Sequence, residues 1–70
     1  MPFSSLQDPA DIARAQGALE LVWKRIKPLI AEADQEHERI RLAQIVASYA
    51  LVALDEDDLA QRAWDRFWQR

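Results

Sequence analysis

The single histidine, His37, is the side chain of this sequence whose ordinary pKa lies nearest neutrality, so it is the first candidate for a general base or a metal ligand. Asp34 precedes it by three residues, and a carboxylate three residues before a histidine occurs in di-iron helical bundles. Such a centre needs further carboxylates on the inward faces of other helices, and the predicted inward positions here are apolar. The sequence also lacks cysteine. We therefore expect no metal site, no cofactor and no thiol chemistry.

A narrow polar strip follows His37 along its helix, made of Arg41, Gln44 and Ser48. His37 and Ser48 are three turns apart, roughly 16 Å along the axis, so they cannot form a hydrogen-bonded Ser–His pair within one helix. A general base also needs a pocket and a second polar group that converges on the substrate. The sequence predicts a protein that is not an enzyme and has no catalytic residue.

The C-terminal segment combines aromatic and basic side chains at helical spacing. Aromatic residues and arginine are the side chains that most often dominate the affinity of protein interfaces. Of the aromatic candidates, Phe67 is the one that we expect more often in a core than at an interface. The predicted interaction residues are Tyr49, Trp64, Phe67 and Trp68 as apolar anchors, with Arg62, Arg66 and Arg70 as a basic rim.

Nucleic-acid binding by the stripe of Arg62, Arg66 and Arg70 is the alternative function, because Trp68 beside it could stack on a base. The net charge of −3 and the pI near 4.9 argue against it, since nucleic-acid-binding domains are usually basic. Asp58 also precedes Arg62 by four residues, a spacing that favours an ion pair within the helix. Nucleic acid is therefore an unlikely partner. A membrane surface is also unlikely, because the start of this helix is strongly acidic.

The length and composition indicate one small folded domain. The chain has 70 residues, of which 50% are hydrophobic and 30% charged. A domain of this size buries only about 60% of its unfolded surface, so dense helix packing or association must supply its stability in the absence of disulfides. We see no secretory signal and expect a cytoplasmic location. The excess of arginine over lysine and the many alanines suggest a bacterial origin.

The elements that position these residues are three predicted helices. The first spans about 9–32, after a lead-in over 1–8, with Asp8 as its cap and Pro9 at its first position. Its apolar stripe continues in phase through Pro28, which predicts a kinked helix, with a break at residue 27 as the alternative. Leu21 is the apolar residue that points away from this stripe.

The second helix is predicted over 35–54, and the third over 56–69 with Asp55 as its cap. From Leu42 to Leu54 the chain contains only two polar residues, which predicts a helix buried at the centre of the fold. One strip of this helix is mostly small and suited to close helix approach. It consists of Ala43, Ala47, Ala50 and Leu54.

The fold predicted is an all-α three-helix bundle with a long kinked helix 1, a buried helix 2 and a short aromatic helix 3, in a single domain over 9–70. Helix 2 has more apolar surface than one chain can cover, so we expect a two-fold homodimer in which helices 1 and 2 form a four-helix core. The expected function is that of a small non-catalytic helical interaction or regulatory protein. It would act through homodimerisation or through a helical face that binds another protein.

Overall fold

The computed structural model describes residues 8–69, which are mostly helical and contain no strand. Its α-helices are α1 (Pro9–Ile26), α2 (Gln35–Tyr49) and α3 (Glu56–Phe67). Two 3-10 turns, Lys27–Leu29 and Glu32–Asp34, connect α1 to α2. The all-α prediction and the number of helices are confirmed, and the three helices pack against one another as a bundle. Residues 1–7 of the predicted lead-in and Arg70 lie outside the described residues.

The two predicted capping residues, Asp8 and Asp55, begin their helices as expected. The Asp8 carboxylate accepts a hydrogen bond from the Ala10 backbone N–H at 2.9 Å, and Asp55 accepts one from the Asp58 N–H at 2.8 Å. Each bond satisfies a backbone donor that has no partner within its own helix. Asp34 occupies the equivalent position before α2, but its side chain makes no capping bond.

Helix α1 ends at Ile26, so the prediction of one kinked helix to residue 32 is wrong and the break at residue 27 is correct. Pro28 has no N–H to donate to the carbonyl of Lys24, and the chain tightens into the 3-10 turn before becoming extended at Ile30. The tighter turn rotates Leu29 out of the α1 stripe and leaves it 65% exposed. Leu21, predicted to point away from the stripe, is also exposed.

Helix α2 ends at Tyr49, five residues before the predicted end. The Ala53 N–H still donates to the Tyr49 carbonyl at 3.0 Å, so one further turn follows before the chain turns back. Leu51, Val52 and Leu54 lie in this connection with exposures of 73%, 62% and 85%. The predicted small-residue strip is therefore divided: Ala43 and Ala50 are buried, Ala47 is partly buried and Leu54 faces solvent.

The prediction that helix 2 is the buried central helix is wrong, because α3 is the element that packs extensively against both α1 and α2. Leu59, Ala63 and Phe67 form a completely buried stripe along α3. Their spacing of four residues keeps them on one face, between the other two helices. Buried residues of the other two helices complete the core. They are Ala15, Ala18, Leu19, Val22, Trp23 and Ile26 of α1, and Leu42, Ala43 and Val46 of α2 with Ala50 just after it.

The N-terminal end of α3 approaches α1 closely at Gly17. A Cβ atom at this position would overlap the carboxylate of Glu56, and no other atom blocks the space. The missing side chain of Gly17 therefore makes room for the flexible Glu56 side chain, and it does not serve an unusual backbone conformation.

Candidate functional site

The predicted interaction residues do not form one surface, because they lie on two sides of the buried stripe of α3. Trp64 and Trp68 lie on the side nearer α1, where the Arg25 guanidinium is 4.5 Å from the Trp64 ring centre. Arg62 and Arg66 lie on the other side, where they line a groove with Tyr49 of α2. The predicted set thus divides into an aromatic side and a basic side.

On the aromatic side, Trp68 packs edge-on against two rings. Its centroid lies 5.5 Å from that of Trp64 and 4.9 Å from that of Phe67. Trp64 is half-buried, while Trp68 is 44% exposed. Trp68 is therefore the aromatic anchor whose ring a partner could reach most readily.

Phe67 is completely buried and is the largest fully buried side chain of the described residues. The prediction of Phe67 as an anchor for a partner is therefore wrong, and its expected alternative role in the core is the one observed. The Arg41 guanidinium lies 4.0 Å from the ring centre of Phe67 and donates a hydrogen bond to the Phe67 carbonyl at 3.1 Å. This arginine joins the middle of α2 to the end of α3.

On the basic side, Arg62 is held within its own helix by Asp58, with 2.9 Å between Nε and the carboxylate oxygen. A hydrogen bond from the Leu54 N–H lowers the pKa of Asp58, and the hydrogen bond and charge of Arg62 lower it further. The shallow groove of about 170 Å³ beside Tyr49 also contains Asp65. Acidic groups therefore offset the arginine stripe, and its third predicted member, Arg70, lies outside the described residues.

A second groove, of about 340 Å³, runs between α2 and the C-terminal turn of α3. Three members of the predicted polar strip of helix 2, Arg41, Gln44 and Ser48, line it on one side. Arg66 and Gln69 line it on the other, and Ile45 completes it. His37, the fourth member of the polar strip, is exposed and does not line this groove. The groove therefore does not place His37 beside the other three members.

The outer face of α2 carries an apolar stripe that none of the predicted interaction residues belongs to. Ile40 of α2 is 51% exposed and Ala47 is partly buried, while Leu51, in the turn that follows α2, is 73% exposed. Leu54, further along the same connection, is 85% exposed. The signal in the sequence was the excess apolar surface of helix 2. Ala47 and Leu54 were predicted to belong to a strip for close helix approach, whereas Ile40 and Leu51 were assigned to no face.

Two basic residues in the first half of α2, Arg39 and Arg41, are paired with carboxylates of the chain. Arg39 forms an ion pair with Glu20 of α1 and lies 5.7 Å from the ring centre of Trp23. Glu38, which is buried, binds Arg41 at 2.9 Å as its spacing of three residues predicts.

No family model, curated protein or solved structure matches this chain. Within residues 8–69, no three side chains of the histidine, cysteine, aspartate or glutamate type come together as a metal site. In the same range, no helix combines the length and the apolar character that crossing a membrane requires.

Proposed function

We propose that this protein is a non-catalytic helical interaction protein and that its first partner is a second copy of itself. The observation that supports the proposal most directly is the exposed apolar stripe of α2 and its connection, with Leu51 and Leu54 largely exposed. Contiguous apolar surface of this kind is typical of sites where proteins associate.

The spacing of the stripe favours a helical partner. On α2, Ile40, Gln44 and Ala47 are separated by four and three residues, and Leu51 and Leu54 follow in the connection after four and three more. This alternation is that of the contact positions in paired helices, where the seam of one helix meets the same seam of its partner. Gln44 is the one polar member, and a single polar residue at such a position favours one alignment of the two helices over others.

A second copy of the chain is favoured over an unrelated protein because of size and symmetry. A domain this small gains little stability from its own core, and two-fold homodimers are the commonest oligomers. A standard interface buries about 800 Å² on each partner, which is roughly a sixth of the 4747 Å² of surface on this molecule.

Light scattering across a dilution series tests the proposal. The wild type is expected to have twice the chain mass of 8.1 kDa, and Leu51→Ser is expected to return to the mass of one chain. Leu51 is largely exposed in the single chain, so its substitution should leave the helical circular dichroism unchanged. Leu29→Ser is the matched control, because Leu29 is similarly exposed but follows α1. A wild type that remains a monomer at every concentration, or equal loss of mass in both variants, contradicts the proposal.

The alternative function, binding of nucleic acid through Arg62, Arg66 and Arg70, is tested by salt titration against generic DNA and RNA. Contacts to phosphates weaken steeply as salt rises, whereas association through an apolar stripe does not. The ion pair of Arg62 with Asp58 and the acidic neighbour Asp65 favour the first proposal over this one.

A further inference from the structure

We infer that the groove between α2 and the end of α3 is a binding site for the phosphate group of a small phosphate monoester. This polar groove is defined by Arg41, Gln44, Ile45, Ser48, Arg66 and Gln69. Its volume of about 340 Å³ lies within the range of small-molecule sites. Its chemistry differs from that of the apolar stripe, with which it shares Gln44 at its edge, and the inference does not rest on self-association.

The charge of the groove favours an anion. Two arginines contribute to its walls, and none of the described residues that line it is acidic. The nearest carboxylate in contact with either arginine is that of Glu38, which binds the Nε of Arg41 at 2.9 Å. Arg66 forms no ion pair among residues 8–69. The lining therefore has a net positive charge although the whole chain has a charge of −3.

Both guanidinium groups have partners within the chain before any ligand arrives, three for Arg41 and one for Arg66. Arg41 is fixed by Glu38, by the ring of Phe67 and by the Phe67 carbonyl, which it reaches at 3.1 Å through Nη2. Arg66 donates from Nη1 to the Gln69 carbonyl at 3.2 Å. These bonds satisfy the carbonyl of the last residue of α3, Phe67, and that of Gln69 just beyond it, which would otherwise present negative partial charge near an anion. A cation ordered in this way loses little further conformational entropy on binding.

Donors remain for the ligand after these bonds are made. A guanidinium has five N–H groups, and in Arg41 the Nη1 nitrogen has no acceptor among the described residues. The side-chain amides of Gln44 and Gln69 add neutral donors, whereas the Ser48 hydroxyl already donates to the Ile45 carbonyl at 2.7 Å. Donors that come from two helices suit a tetrahedral dianion with several oxygens better than a planar carboxylate with two.

Titration with inorganic phosphate, followed by the ¹H–¹⁵N signals of the arginine side chains at constant ionic strength, tests the inference. We expect saturable shifts of the Arg41 and Arg66 signals, and weaker binding of acetate. Arg66→Gln is expected to weaken phosphate binding by about tenfold or more, because a charge-assisted contact is lost. Arg66 is exposed and bonds only one carbonyl, so this variant should fold. Arg41→Lys, which keeps the charge but loses the planar fork, should also weaken binding.

Arg14→Gln is the matched control, because Arg14 pairs with Asp11 on α1, away from the groove, and should leave phosphate binding unchanged. Shifts that rise linearly with phosphate, or that are the same in the Arg66→Gln and Arg14→Gln variants, would overturn the inference. The titration is repeated on Leu51→Ser to separate this site from the association proposed above. Retained phosphate binding in that variant supports a site within one chain, whereas its loss together with the dimer overturns that assignment.

Discussion

Replacement of Phe67 by alanine is expected to remove about 3–5 kcal/mol from the free energy of unfolding. The ring is completely buried, and Leu59 and Ala63, which precede it on the same stripe, are completely buried as well. Truncation to the Cβ atom would leave a cavity that helices held on two sides cannot readily close. A chain of 70 residues has a total stability of only about 4–10 kcal/mol, so the variant should be close to unfolding at room temperature.

Urea unfolding followed by circular dichroism at 222 nm measures this loss, at one fixed protein concentration so that association affects each variant equally. Leu29→Ala is the control, since Leu29 lies outside the proposed dimer stripe and truncation of a side chain that is 65% exposed should change the stability by less than about 0.5 kcal/mol. A Phe67→Ala variant that loses less than about 1 kcal/mol would refute the placement of this ring in the core. It would return Phe67 to the role of an interaction anchor that the sequence alone suggested.

Three further substitutions test other parts of the fold. Gly17→Ala should raise the free energy of unfolding by about 0.5–1 kcal/mol in urea titrations, because the helix gains propensity and only a flexible carboxylate must move. Ala63→Leu should lower the melting temperature through an overpacking cost of about 1–3 kcal/mol, while Ala47→Leu on the half-exposed outer face should change it far less. The hydrogen bond from the Leu54 N–H and the adjacent Arg62 lower the pKa of Asp58 in the folded state. The stabilisation that ionised Asp58 contributes to folding is therefore complete above its unfolded pKa near 4, and it is lost as the pH falls through the folded pKa. The urea midpoints of wild type and Asp58→Asn should therefore differ at pH 6 and converge toward pH 2.

The sequence determined those features that depend on neighbours within one or two turns. The caps at Asp8 and Asp55 and the ion pair of Asp58 with Arg62 are local contacts, and each is observed. The buried stripe of α1 was also predicted, because its helix has a clear polar side against which the apolar side is defined. Phe67 was the candidate for which the sequence favoured a core position, and it is buried.

The tertiary structure alone decided where α2 ends and which helix lies between the others. No glycine or proline stops the chain after Tyr49, and local propensity would let the helix continue. It ends there in the structure as the chain reverses, and the connection is fixed by the bond from the Leu54 N–H to the Asp58 carboxylate of the next helix. A helix that is apolar on most sides also has no single inward direction, so its sequence could not show that Leu51 and Ile40 face solvent.

The grooves likewise depend on contacts between residues far apart in the chain. Arg41 and Arg66 are separated by 25 positions, and no spacing rule for one helix relates them. They meet at one groove because the face of α2 that carries Arg41 packs beside the last turn of α3, where the Phe67 carbonyl accepts from Arg41. Helix periodicity predicts which residues share a face, but the pairing of faces is set by packing of the whole core. For this protein that packing separated the aromatic from the basic candidates and placed α3 between its neighbours.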